Sequence, residues 1–318
     1  MIEGNTPMAE ARKAPKDEGA DAPNSPEPLS LAELFGREMD AEEAAPTTAM
    51  PPAVSEVRRA PRAAPIPELR GLAPMWALIG PGNTGKTLFA RYIAGELLQR
   101  RIKRFMLAAL DPGPRLLTQF RVEVMSPPST DPAETTAWLR SLAALVMKHR
   151  APGVMDMGGG DTSLGHVIRT APTLAQEMRE AGVALIPAYF LARPDDPSIL
   201  DAHARARFRP EAMALVLNMN NVDAASGFDA VRAHPAYKAA LDRGAVEIVI
   251  PRLEPLRLAQ RIEARRFHFH EARDGVVPEG SEAKPIESGL ERAAVREWLE
   301  AMARELRPLE AAGWLPWS

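Results

Sequence analysis

Gly80-Pro81-Gly82-Asn83-Thr84-Gly85-Lys86-Thr87 decides how this chain is read. The spacing is that of a complete phosphate-binding loop, glycine, four residues, then Gly-Lys-Thr. The apolar run Met75 to Ile79 predicts the strand that leads in, and Leu88 to Gln99 predicts the helix that leads out. In such a loop the glycines let backbone N–H groups turn inward around a β-phosphate, and the helix that follows points its positive dipole end at the same charge. Lys86 would reach the β and γ oxygens, and the Thr87 hydroxyl would ligate Mg²⁺. The sequence therefore predicts binding of a nucleoside triphosphate, with Gly80, Gly82, Asn83, Thr84, Gly85, Lys86, Thr87 and Leu88 in contact with it.

Composition sets the frame around that loop. A chain of 318 residues with 46% hydrophobic content can bury a full core, and one domain plus a tail is the expected division. The absence of cysteine excludes disulfides and thiolate metal sites. Residues 1–30 hold no apolar block of signal-peptide type, so a cytoplasmic location is expected. No stretch approaches the roughly 20 uncharged apolar residues of a membrane span. A net charge of −3 gives no global attraction to nucleic acid, so any DNA contact must come from a local patch.

Residues 1–68 are rich in Pro, Ala, Glu and Asp and predict a disordered tail, because its prolines deny helix and sheet their backbone donors. Within it Ser30-Leu31-Ala32-Glu33 is a capping box, and Leu31, Leu34, Phe35 and Met39 share one helical face. A short helix over 30–40 would dock on a protein partner, or else pack on its own domain or form only transiently. From residue 69 to 318 apolar strand-like runs alternate with helical stretches, the pattern of a three-layer α/β domain built on a parallel sheet. Strands are expected at Met75–Gly80, Phe105–Leu110, Gly153–Met157, Val183–Phe190, Ala212–Leu217 and Val246–Ile250. Helices are expected at about 85–100, 132–149, 162–181, 197–208 and 226–242, with another starting near Pro255. A C-terminal helix over about 288–309 opens with the capping box Ser288 to Glu291 and lines up Val295, Trp298, Leu299, Met302, Leu306 and Leu309. That stripe would pack on the domain or form a dimer interface.

In open α/β sheets ligands gather at the carboxyl ends of strands, so the polar residues that close each strand are the candidates for chemistry. Asp156 ends the third expected strand and precedes Met157-Gly158-Gly159-Gly160-Asp161. It is the natural outer ligand for Mg²⁺ or its water, and Gly159 allows backbone approach to a γ-phosphate. Asp111, at the end of the second strand, is the candidate for placing or deprotonating the attacking water, with Asp161 next in line. Asn218 ends the fifth strand, where its amide would meet a purine edge or merely cap a turn. The guanine-reading pattern N-K-x-D is absent; Asn218-Met219-Asn220-Asn221 stands there, which favours adenine. Phe267-His268-Phe269-His270 puts both histidines on one face of a strand, either as an exposed pair or as part of a metal site. Arg205, Arg207 and Arg209 would form a phosphate-closing lid or a solvated face, and Arg257, Arg261, Arg265 and Arg266 form a basic stripe for a weak DNA contact.

These residues in this order resemble the ParA/MinD branch of SIMIBI-class P-loop ATPases, and within it the TraL-like nucleotide-binding proteins of conjugal transfer. The resemblance covers about residues 74 to 270 and rests on the loop, Asp111-Pro112, Asp156 with Gly158 to Gly160 and Leu164, Asn218, and Pro251-Arg252-Leu253. It implies a slow, Mg²⁺-dependent ATPase in which Lys86, Asp111 and Asp156 carry the chemistry, and a nucleotide switch serving plasmid or DNA partition, positioning or transfer. The chain departs from the family at Pro81, where the family has a lysine that crosses a dimer. Proline supplies neither charge nor N–H, which leaves dimerisation open. Two further readings stand beside this one: a P-loop kinase acting on a small molecule or protein, and a nucleotide-binding scaffold without turnover.

Overall fold

The computed structural model describes residues 65–110, 123–159, 162–221, 227–255 and 257–318. Residues 1–64 of the expected tail, with the helix over 30–40, and Asp111, Gly160 and Asp161 lie outside the described residues.

Within them seven strands form one sheet: β1 (Ala73–Ile79), β2 (Met106–Ala109), β3 (Val124–Met125), β4 (Gly153–Asp156), β5 (Val183–Phe190), β6 (Ala214–Asn218) and β7 (Val246–Ile250). Their order is β3-β2-β4-β1-β5-β6-β7, with every pairing parallel. The helices are α1 (Lys86–Gln99), α2 (Pro132–His149), α3 (Ser163–Thr170), α4 (Leu174–Glu180), α5 (Ser198–Arg205), α6 (Asp229–Ala233), α7 (Pro235–Asp242), α8 (Leu258–Ala264), α9 (Phe269–Asp274) and α10 (Gly289–Ala311). The strands read as unbroken apolar runs because both of their faces are covered. Trp76 and Leu78 of β1 point into a core with Phe89 and Ile93 of α1 and Trp298 and Met302 of α10. The alternate residues Met75, Ala77 and Ile79 point into a second core with Leu139 of α2, Ile168 of α3, Leu200 of α5 and Tyr237 of α7. This is the three-layer, parallel-sheet α/β architecture expected from the sequence, closed by the C-terminal helix.

Several elements differ in detail. A seventh strand, β3, is only two residues long, too short for any periodic signal. The stretch 162–181 is two helices, because Ala171 leaves helical geometry (φ −138°, ψ 69°) ahead of Pro172. The stretch 226–242 divides in the same way at His234, which is extended before Pro235 and accepts the Ala236 N–H on its ring. The strand expected at Phe267–His270 is instead the entry to a helix. His268 caps α9 in a reciprocal box with Glu271, and His270 is buried, its Nε2 2.8 Å from Glu96 Oε1 on α1. The two histidines therefore face different partners, and among the described residues no cluster of three or more His, Cys, Asp or Glu is placed to hold a metal. The bond from His270, with that from Arg100, holds the Glu96 carboxyl below its ordinary value although burial acts the other way.

The stripe of α10 is buried against the domain, with Val295, Trp298, Leu299, Met302, Leu306 and Leu309 all inside. This helix also protects the sheet edge, since Glu305 Oε1 accepts the Val249 N–H of β7 at 2.9 Å. Beyond it Trp314 Nε1 donates to the Pro67 carbonyl at 2.8 Å, Trp76 Nε1 donates to the Trp314 carbonyl at 2.8 Å, and Leu69 N–H donates to Ala312 O at 2.8 Å. Ile66 packs on the same core, so the packed region reaches back past the expected division at 68/69.

On the other face Tyr189 and His203 share a buried bond, hydroxyl to Nδ1, of 2.7 Å. Burial, helped by the nearby Arg169 charge, pushes His203 from 6.5 down to about 4. The folded imidazole is thus neutral where the unfolded one would be charged. Stability from this group is complete above about pH 6.5 and is lost as pH falls toward 4, because the unfolded chain binds the extra proton. Denaturant unfolding at pH 7 and pH 4.5 should reveal about 2 to 3 kcal/mol of acid destabilisation that is missing in His203→Gln. An equal loss in both proteins would place the acid sensitivity elsewhere.

Candidate functional site

The loop leaves β1 at its carboxyl end and turns into the N-terminus of α1, as the sequence predicted. Gly85 sits at that entry with φ 101°, in the left-handed region that glycine adopts without cost. A Cβ there would lie 2.2 Å from Asn218 Nδ2, so both conformation and space demand glycine. Lys86 is buried, and its ammonium donates to the carbonyls of Gly80 at 2.8 Å and Pro81 at 2.7 Å. Thr84 Oγ1 closes the turn by donating to Pro81 O at 2.9 Å. Gly82, Asn83 and Pro81 are exposed at the rim, while Leu88 packs its partly buried side chain on the core.

The neighbouring strand β4 brings the acid to the loop. Leu78 is registered opposite Asp156, and Thr87 Oγ1 donates to Asp156 Oδ2 at 2.8 Å. Asp156 is 4% exposed. Two residues separated by most of a hundred positions thus place a hydroxyl and a carboxylate together at the head of α1. This oxygen pair suits Mg²⁺, which takes few protein ligands and shares the rest of its shell with water and phosphate. The residues that would hold the metal are Thr87 and Asp156. Gly159, just beyond, approaches the loop so closely that a Cβ on it would lie 2.8 Å from both Gly82 Cα and Gly82 N. The chain after β4 and the phosphate loop are therefore in backbone contact.

Strand β6 braces the loop from the far side. Asn218 is 3% exposed; its Nδ2 donates to Thr84 O at 3.3 Å, and its Oδ1 accepts from Asn220 N at 3.1 Å and Asn220 Nδ2 at 2.9 Å. Of the two roles the sequence left open for this amide, a purine edge or a turn cap, the bond from Asn220 N is the turn cap, and Nδ2 is directed to the loop. Asn221 Nδ2 adds a second brace to Asn83 O at 3.0 Å. The turn is tied onward, since Asn220 Oδ1 accepts the Leu253 N–H at 3.1 Å and Arg252 Nε donates to Met219 O at 3.1 Å. The sequence signal for this brace is the run of amides at Asn218, Asn220 and Asn221 directly at the end of a strand.

The arginines fall apart into separate roles. Arg205, the last residue of α5, and Arg207 and Arg209 just beyond it are exposed at the amino edge of the sheet and away from the loop, and Arg209 Nη1 donates to the Phe208 carbonyl at 3.2 Å. Of the basic stripe, Arg257 and Arg266 are exposed whereas Arg261 pairs with Glu291. A cavity of about 290 Å³ between α5 and α7, lined by residues including His203, Phe208 and Arg243, also lies at the amino ends of β6 and β7.

The loop, its strand and helix, and the parallel sheet together form a three-layer α/β fold with a phosphate-loop turn between β1 and α1. No family model matches the chain, and no curated protein matches it. Among solved structures it is similar to the cell division protein FtsY of Thermotoga maritima, at 12% identity over 74% of this chain and 71% of that one, with a TM-score of 0.36. A likeness that distant has no bearing on the activity of this chain. No described helix is long and apolar enough to cross a membrane.

Proposed function

We propose that this chain binds ATP with Mg²⁺, hydrolyses it slowly, and uses the bound nucleotide as a switch in plasmid or DNA partition, positioning or conjugal transfer. The observation that carries the reading is the 2.8 Å bond between Thr87 and Asp156 at the head of the loop helix, because hydroxyl and carboxylate are then already where a metal shared with phosphate needs them. Bound Mg²⁺ would supply positive charge to the β and γ oxygens. Lys86 exchanges its two carbonyl partners for phosphate oxygens, and the rim N–H groups of the loop orient the phosphates. Asp111 is assigned to the attacking water. Asn218-Met219-Asn220-Asn221 carries neither the lysine nor the aspartate of the guanine-reading pattern, which supports adenine. The amphipathic segment over 30–40 is assigned to a protein partner, and the exposed Arg257 and Arg266 to a weak contact with DNA. Pro81 is exposed at the rim and carries no charge, so ATP is not expected to drive a face-to-face dimer.

The test is phosphate release from ATP without added acceptor, in the parent and in Asp156→Asn. The parent should turn over slowly, and the variant should lose about tenfold or more of the Mg²⁺-dependent affinity, since one anionic ligand becomes a neutral amide. Release that needs an acceptor would identify a kinase. Tight binding without any release would identify a scaffold.

A further inference from the structure

We propose that Arg193 is a second cation for the terminal phosphate, reaching the loop from the end of β5; this rests on reading the loop as a nucleotide site. Strand β5 runs beside β1 with Ile79 opposite Tyr189. The contact continues past the sheet, for a Cβ on Gly80 would lie 2.5 Å from the Phe190 carbonyl oxygen. The phosphate loop therefore starts against the end of β5, and Arg193 stands on the short connection from that end to α5.

That connection is a held turn. Asp196 Oδ2 accepts the backbone N–H groups of Ala192 and Arg193, each at 2.8 Å, and Ser198 N–H donates to Asp195 O at 3.1 Å. Asp196 Oδ2 is thereby committed to the backbone. Arg193 is exposed, and among the described residues its guanidinium has no hydrogen bond or ion pair. Among the described residues the other candidates around the loop are committed or uncharged. Lys86 is enclosed by the loop carbonyls, Arg252 is tied to Met219 O, and Pro81 has no charge.

A triphosphate brings one more phosphoryl group than a diphosphate, and the described loop contains a single cation of its own, Lys86. A guanidinium offers a planar fork of donors suited to a phosphoryl group. Placed beyond the loop on a fixed turn, it would meet the γ-phosphate and not the β-phosphate, and so discriminate ATP from ADP.

Calorimetric titration of the full chain with Mg²⁺ and either ADP or the non-hydrolysable β,γ-imido analogue of ATP tests this. Arg193→Ala should weaken the analogue about ten- to a hundredfold while ADP affinity stays within about twofold, and Arg193→Lys should recover part of the loss. The melting temperature without nucleotide should not move, because the side chain is exposed. Equal losses for both nucleotides, or no loss for either, would overturn the assignment. Lys86→Ala in parallel separates the two levels: normal binding there would remove the nucleotide reading and Arg193 with it, whereas lost binding there with normal analogue affinity in Arg193→Ala would remove Arg193 alone.

Discussion

Lys86→Ala should lower triphosphate affinity by about a hundredfold or more and leave the fold intact. The ammonium would contact oxygens of two phosphoryl groups, and each charge-assisted bond contributes roughly 1.5 to 3 kcal/mol. Without nucleotide the same ammonium donates to the carbonyls of Gly80 and Pro81. Pro81 is exposed, so water can replace it there. The melting temperature should therefore change little while binding, followed by calorimetry or by thermal shift with ATP and Mg²⁺, is lost. ATP affinity equal to that of the parent would remove the phosphate-loop assignment.

Trp314→Ala should cost about 3 to 5 kcal/mol of folding stability, the range for deleting a buried aromatic side chain. Trp314 is fully buried, stands 6.2 Å from the Trp76 ring between centroids, and ties Pro67 to the end of the domain. Trp314→Phe keeps an aromatic ring but loses the indole donor, leaving the Pro67 carbonyl to find water, and should cost less. Urea unfolding distinguishes the two. If Trp314→Ala stayed within 1 kcal/mol of the parent, the C-terminal turn would stand outside the cooperative unit. The same contacts mean that an N-terminal truncation should stop before Ile66, because Pro67 and Leu69 belong to the packed end of the domain.

Much of this was legible in the sequence for reasons of range. The phosphate loop is a local backbone device, so eight consecutive residues specify it without help from the rest of the chain. The parallel strands announce themselves as apolar runs because both faces are covered, and α10 shows its stripe over many turns. Short elements carried no such signal. Helix α9 has six residues, less than two full turns, and the alternation of Phe267 to His270 imitates a strand; the capping relation between His268 and Glu271 was the better guide. The breaks ahead of Pro172 and Pro235 are marked by the prolines themselves, but the helical periodicity continues on both sides of each.

By itself the sequence determined the fold class, the loop, and the residue types at the ends of the strands, since each depends on local spacing or on periodic burial. Only the tertiary structure decided which of those residues meet. Asp156 reaches Thr87 because β4 pairs with β1 in one register. Asn218 and Asn221 brace the loop because β6 ends two strands away at the same level. His270 finds Glu96, 174 positions earlier, because α9 docks on the loop helix. Such pairings depend on how strands register and helices cross, and these are set by packing of the whole core, which no short stretch of sequence contains.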